Sequence, residues 1–121
     1  EVMSSTAAKA AVLVLLFLGE ACAIYAEMLG ARTHAMTTQP FLAIFLKMLL
    51  IMFVGGGFLV SGYMLGFRAF RNIWIVSAAS ITSILIIEPT LAYVIFQQLP
   101  TKGAGIGLVL GVIGFIATLL L

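Results

Sequence analysis

Three carboxylates sit in stretches that otherwise read as lipid-soluble. Glu20 and Glu27 lie in "LGEACAIYAEMLGAR", and Glu88 lies in "LIIEPTLAYVIF". An acid at the bilayer centre costs about 2.5–3.5 kcal/mol on insertion scales, and such residues face a bundle interior or a wet cavity. Low dielectric disfavours the charged form of a carboxyl. A carboxyl placed there can hold a proton, release it, and take a cation in its place. Glu20 is near the middle of its apolar run and is the first candidate for this exchange. Glu27 follows seven residues on, about two turns and ~10 Å along a helix axis, so the two share a face but cannot share one proton. They suit two stations along one groove. Glu27 is also near the membrane edge, where pairing with Arg32 or with headgroups is the other role open to it. Glu88 is deep in its own run, and there a structural acid beside the helix break made by Pro89 is the alternative.

Other polar residues are second-tier candidates. Tyr63 and Ser61 could line the groove, and Tyr25 and Tyr93 could meet carboxylates through their hydroxyls. Lys47 is placed to snorkel to the interface or to pair with an acid. His34 stands alone in a loop. Cys22 is the single cysteine, so no internal disulfide forms and no thiolate metal site is expected. No spacing suggests a metal site or a cofactor. No nucleophile stands in pattern with a base, so an enzyme is the class with least support.

These residues need elements to hold them, and composition says which. Of 121 residues, 64% are hydrophobic and 8% charged, with a mean hydropathy of +1.28. Soluble domains carry about a quarter charged residues. A helix crosses the ~30 Å hydrocarbon core with about 20 apolar residues, which leaves room here for four spans and no separate soluble domain. The expected fold is an all-α membrane protein of four transmembrane helices, in a single domain over 1–121. The net charge of +2 offers no basic surface for nucleic acid. The chain opens on Glu1 rather than Met, so a trimmed N-terminus is expected, and the first run is too long for a signal peptide.

The spans are expected at about 8–29, 41–65, 73–99 and 106–121. Ser5 or Thr6 could cap the first, and Gly30 stands where a helix commonly ends. "ARTHAMTTQP" reads as the first loop, "GFRAFRN" as the second and "PTKGAG" as the third. Pro89 lacks an N–H and should kink the third span. Trp74 and Phe70 stand where an interfacial aromatic belt is expected. Lys9, Arg68 and Arg71 fall on one side of the membrane, and Arg32, Lys102 and a snorkelling Lys47 on the other. Lys and Arg normally decide orientation by their excess on the cytoplasmic side. The balance points either to insertion both ways or to a partner that decides it.

Gly103, Gly107 and Gly111 recur at intervals of four, followed by Gly114. Small residues in such a stripe let helix backbones approach closely in lipid, so Gly107, Gly111 and Gly114 are expected at a dimer contact. Gly55–Gly57 weakens the second span and could allow close packing, a kink or substrate passage.

Four short spans with an acid in an "LGE" context resemble the small multidrug resistance family of the drug/metabolite transporter superfamily. The segment "EPTLAYVIF", a short polar turn and a glycine-spaced last helix also resemble one half-repeat of the larger, ten-helix members. The resemblance implies a half-transporter bundle that dimerises, often antiparallel, with proton and cationic substrate binding in turn at Glu20. It also implies dimer contacts at the last-helix glycines. Some short relatives pair with a different subunit, and some are thought to move lipid-linked sugars. The sequence lacks the family's Tyr-Ala-x-Trp-like run in the third span and carries Glu27 and Glu88 as extra acids.

The function expected is a small proton-coupled transporter exporting a hydrophobic or polyatomic cation. It would work as a homodimer, or as a heterodimer with a related subunit, in the cytoplasmic membrane of a prokaryote. Its partners would be membrane lipids, protons and the cation. Two alternatives stay open. One is half of a flippase for a lipid or lipid-linked sugar, with Lys47, Arg68 and Arg71 on an anionic headgroup. The other is a non-transporting subunit of a larger membrane complex.

Overall fold

The computed structural model describes residues 5–121, with side chains from Thr6 onward. The start at Glu1 and a cap by Ser5 fall outside what is described. Four helices follow one another: α1 (Ser5–Met36), α2 (Phe41–Phe70), α3 (Ile73–Phe96) and α4 (Lys102–Leu120). All four are long and apolar enough to cross a membrane. At 1.5 Å per residue they measure about 48, 45, 36 and 28 Å.

α1, α2 and the start of α4 outrun the boundaries expected from sequence, at the cost of the loops, whereas α3 stops at Phe96, short of the expected 99, where Gln97 turns left-handed. Gly30 does not end α1. It packs against Met48 of α2, where a Cβ would come within 2.9 Å of the Met48 side chain. That packing outweighs the ~1 kcal/mol preference of glycine for leaving a helix. α1 therefore runs on to Met36, and the link to α2 shrinks to residues 37–40. There the Thr37 hydroxyl donates to Thr33 O at 2.7 Å, and Pro40 leads into α2. "GFRAF" completes α2 instead of looping. Arg71 then adopts a left-handed conformation (φ 58°) with its N–H on Phe67 O, and the Asn72 side chain accepts from Trp74 N at 3.0 Å to open α3. Two residues make the whole turn. α3 continues through Pro89 and closes on left-handed Gln97 (φ 57°). The Thr101 hydroxyl caps α4 by accepting from Ala104 N at 3.1 Å.

Connections this short make neighbouring helices antiparallel. The ends of α2 and the starts of α1 and α3 meet at one pole. There Val12, Leu16 and Val76 are fully buried, with Leu59, Tyr63 and Phe70 packed around them. Lys9 Nζ lies 5.4 Å from the Phe70 ring centroid, within cation–π reach. Most large apolar side chains are exposed instead, Phe53 at 83% among them, as expected for faces turned to lipid rather than water.

The tight seam is between α1 and α2. Apolar burial gives no water-driven gain in lipid, so close packing must hold helices together. At Gly55 a Cβ would lie 2.9 Å from the Cys22 Cβ and 3.1 Å from Gly19 O, and at Gly19 it would meet the Leu59 side chain at 2.7 Å. These two glycines let the backbones touch. α4 is attached differently. It packs on α3 alone among the helices and buries no residue.

Candidate functional site

Glu20 is positioned by the helices on either side of it. Gly19 holds α1 against α2, and the Val12–Leu16–Val76 cluster holds α1 against α3. One turn beyond Val76 on α3 comes Ser80, which is 5% exposed. Its Oγ–H donates to Glu20 Oε2 at 2.6 Å. This length suits a hydroxyl bonded to a carboxylate. The Glu20 side chain is half-buried. The contact links helices sixty residues apart in sequence and leaves the carboxylate capacity for further donors.

α3 carries a polar run, "SAASITS", in which Ser80 stands apart. Thr82 and Ser83 donate to carbonyls of their own helix, at Ala78 O and Ala79 O. Ser80 alone of the three reaches across to another helix. Every buried side-chain nitrogen and oxygen among the described residues has a hydrogen-bond partner. Sequence reasoning passed over Ser80, although a hydroxyl deep in an apolar span and level with Glu20 was the signal available.

The other candidate residues are dispersed. Glu27 is exposed and borders a cavity of about 280 Å³ between α1 and α2, with His34, Phe41, Phe45 and Met48. Glu88 is exposed and borders a different cavity of about 530 Å³, between α3 and α4, with Met28 of α1 on one wall. Glu20 lines neither of these. The three acids are therefore not gathered around one groove. Tyr63 packs on the Val12–Leu16–Val76 cluster, and Ser61 lies exposed on α2. Lys47 is exposed on α2.

Compared with known proteins, the chain matches no family model, no curated protein and no solved structure. Its chemistry has to be read from its own residues.

The α4 glycines divide in the same way. Gly111 meets the Leu85 side chain of α3, where a Cβ would lie at 3.2 Å, so it serves contact within the chain. Gly107 and Gly114 have nothing within 4 Å of a Cβ position, and Gly107 borders the Glu88 cavity. No group of three or more His, Cys, Asp or Glu side chains able to hold a metal occurs among the described residues. The arrangement offers one half-buried acid held by a hydroxyl between two membrane-spanning helices, and two exposed acids beside separate cavities.

Proposed function

We propose that the protein is a small proton-coupled transporter that exports a hydrophobic or polyatomic cation, of the small multidrug resistance type, with Glu20 as the exchange residue. The observation that carries this reading is the Ser80 hydroxyl on Glu20 Oε2 at 2.6 Å, inside helices long and apolar enough to span a membrane. A carboxylate is costly at that depth, and a single neutral donor does not neutralise it. A proton or a cation must do so, and each displaces the other. Ser80 keeps the carboxylate oriented while its occupant changes. Two copies would complete the pathway, since one chain of four helices leaves α4 bound on a single side.

Proton release on adding cations tests the proposal. Purified protein in weakly buffered detergent is mixed with guanidinium, quaternary ammonium and polyamine compounds. Release of about one proton per site by one class, lost in Glu20→Gln and kept in Glu88→Gln, is the expected result. No release from folded parent protein overturns it. A second reading, a subunit of a larger membrane complex, is favoured by the slight attachment of α4. Under that reading the protein purified alone disperses or precipitates instead of running as a defined dimer.

A further inference from the structure

The larger cavity, between α3 and α4, holds an acid that exchange at Glu20 leaves unused. Glu88 borders it together with Leu85, Pro89 and Ala92 of α3 and Gly107 and Leu108 of α4. These residues stand at one level. Leu85 is three residues before Glu88 and Ala92 four after it, about 4.5 and 6 Å of helix rise. Gly111 meets Leu85, and α4 runs back along α3, so three residues on from that contact Leu108 stands opposite Glu88. No Lys, Arg or His lines the cavity, so no cation of the chain competes within its wall.

Pro89 adds a second acceptor beside Glu88. In a helix the N–H of residue 89 bonds to the carbonyl of residue 85. Proline has no N–H to give, yet α3 runs on through it. Leu85 O is thus left without its helical donor, within one turn of Glu88, where the residues before and after it line the cavity. The Thr90 hydroxyl does not serve it, being bonded to Ile86 O at 2.7 Å. A carboxylate next to a carbonyl in need of a donor selects a cation that carries N–H groups. A primary ammonium has three donors and satisfies both, whereas a quaternary ammonium has none for the carbonyl. A divalent calcium ion takes six or more oxygens, and two are too few for it. The remaining wall is mostly apolar, and the volume of about 530 Å³ lies within the roughly 300–1,000 Å³ range of small-molecule pockets. The cavity therefore has room for an apolar body behind the charged group.

We propose that the α3–α4 cavity is a second cation site, selective for an amine that carries N–H donors on an apolar body. The ammonium takes Glu88 as counter-ion and donates to Leu85 O, and the body lies between Ala92 and Leu108. The site is separate from Glu20 and does not depend on exchange there.

Calorimetric titration tests it. All titrations use full-length protein carrying Glu20→Gln, which keeps an acceptor for Ser80 and removes the exchange site from the measurement. Failure here is then distinct from failure of proton release at Glu20. The protein, in a maltoside detergent, is titrated with 4-phenylbutylammonium and with its N-trimethyl analogue, which keeps the charge and the apolar body but has no N–H. The primary amine is expected to bind at least tenfold tighter than the analogue. Adding Glu88→Gln should weaken it at least tenfold. Adding Ala92→Leu, which fills the cavity and leaves the charge, should do the same, with both melting temperatures close to that before the addition. Adding Pro89→Ala returns an N–H to Leu85 O and should bring the two ligands near equal affinity. No binding of the amine, equal affinity for the two ligands before Pro89→Ala is added, or tight binding that survives Glu88→Gln or Ala92→Leu overturns the site. A preference that survives Pro89→Ala overturns the part given to Leu85 O, and with it the selectivity proposed.

Discussion

Ser80 and Glu20 form one unit, and the serine is the part that can be removed without touching the charge. A hydrogen bond to a charged group contributes about 1.5–3 kcal/mol, so Ser80→Ala should weaken cation binding at Glu20 roughly tenfold or more, since ~1.4 kcal/mol is a factor of ten. Ser80→Thr keeps a hydroxyl and should recover much of the loss. Both are read by titrating cation-induced proton release. Equal affinity in parent and Ser80→Ala would mean that the serine only fills space. Glu20 could be singled out from sequence because a charge in an apolar run needs no partner to be conspicuous. Ser80 could not be, because a membrane helix tolerates hydroxyls that bond back to their own carbonyls, as Thr82 and Ser83 do. Only the packing of α1 on α3 distinguishes the one that reaches across. The separation of Glu27 and Glu88 into different cavities was hidden for a related reason. Spacing places two residues on a common helix face but does not say which neighbour covers that face at each level.

Among the helices, the α1–α2 seam is the least forgiving of change. Gly55→Leu puts a side chain where even a Cβ lies 2.9 Å from Cys22 Cβ and 3.1 Å from a backbone oxygen, and backbone cannot move aside cheaply. It should lower the melting temperature in detergent by several degrees or prevent folding. Gly56→Ala, one residue on, meets nothing within 4 Å and gains helix propensity of up to ~1 kcal/mol. It should be neutral or stabilising. If both variants melt alike, the seam is not where stability resides. Gln97 holds a left-handed φ of 57° at the end of α3, a conformation that costs a non-glycine residue about 1–2 kcal/mol. Gln97→Gly should therefore raise the melting temperature slightly. The number and order of the helices were legible in hydropathy alone. Their ends were not, because Gly30 and "GFRAF" are stop signals only in the absence of a neighbour, and the long α1–α2 contact overrides them. Glycine spacing drew attention to α4, yet the close backbone approach is at Gly55, within the run read from sequence as allowing close packing, and at Gly19, which no spacing singles out.

Viewed as a whole, the molecule has two unequal parts: a packed α1–α2–α3 unit, and α4 leaning on α3. If α4 is the seam between copies, Gly107→Cys or Gly114→Cys, each in a Cys22→Ala background, should give a disulfide-linked dimer on mild oxidation of membranes. Gly111→Cys, turned toward Leu85, should cross-link poorly. Equal yields at all three would place the seam elsewhere. Lys9, Arg68 and Arg71 gather at one pole and Arg32 and Lys102 at the other, so removing Arg68 and Arg71 together should drive a C-terminal reporter to a single side of the membrane. The inequality of helix lengths has a further consequence. α4, at about 28 Å, matches a ~30 Å hydrocarbon core upright, whereas α1 and α2, at about 48 and 45 Å, fit only by leaning over or by standing clear of it. Lipids with longer acyl chains would let the α1–α2 hairpin rise while stretching the sheath around α4, and shorter ones would lay the hairpin down. The angle between the two parts then becomes a gauge of bilayer thickness, and acyl-chain length a mechanical control on any site held between them.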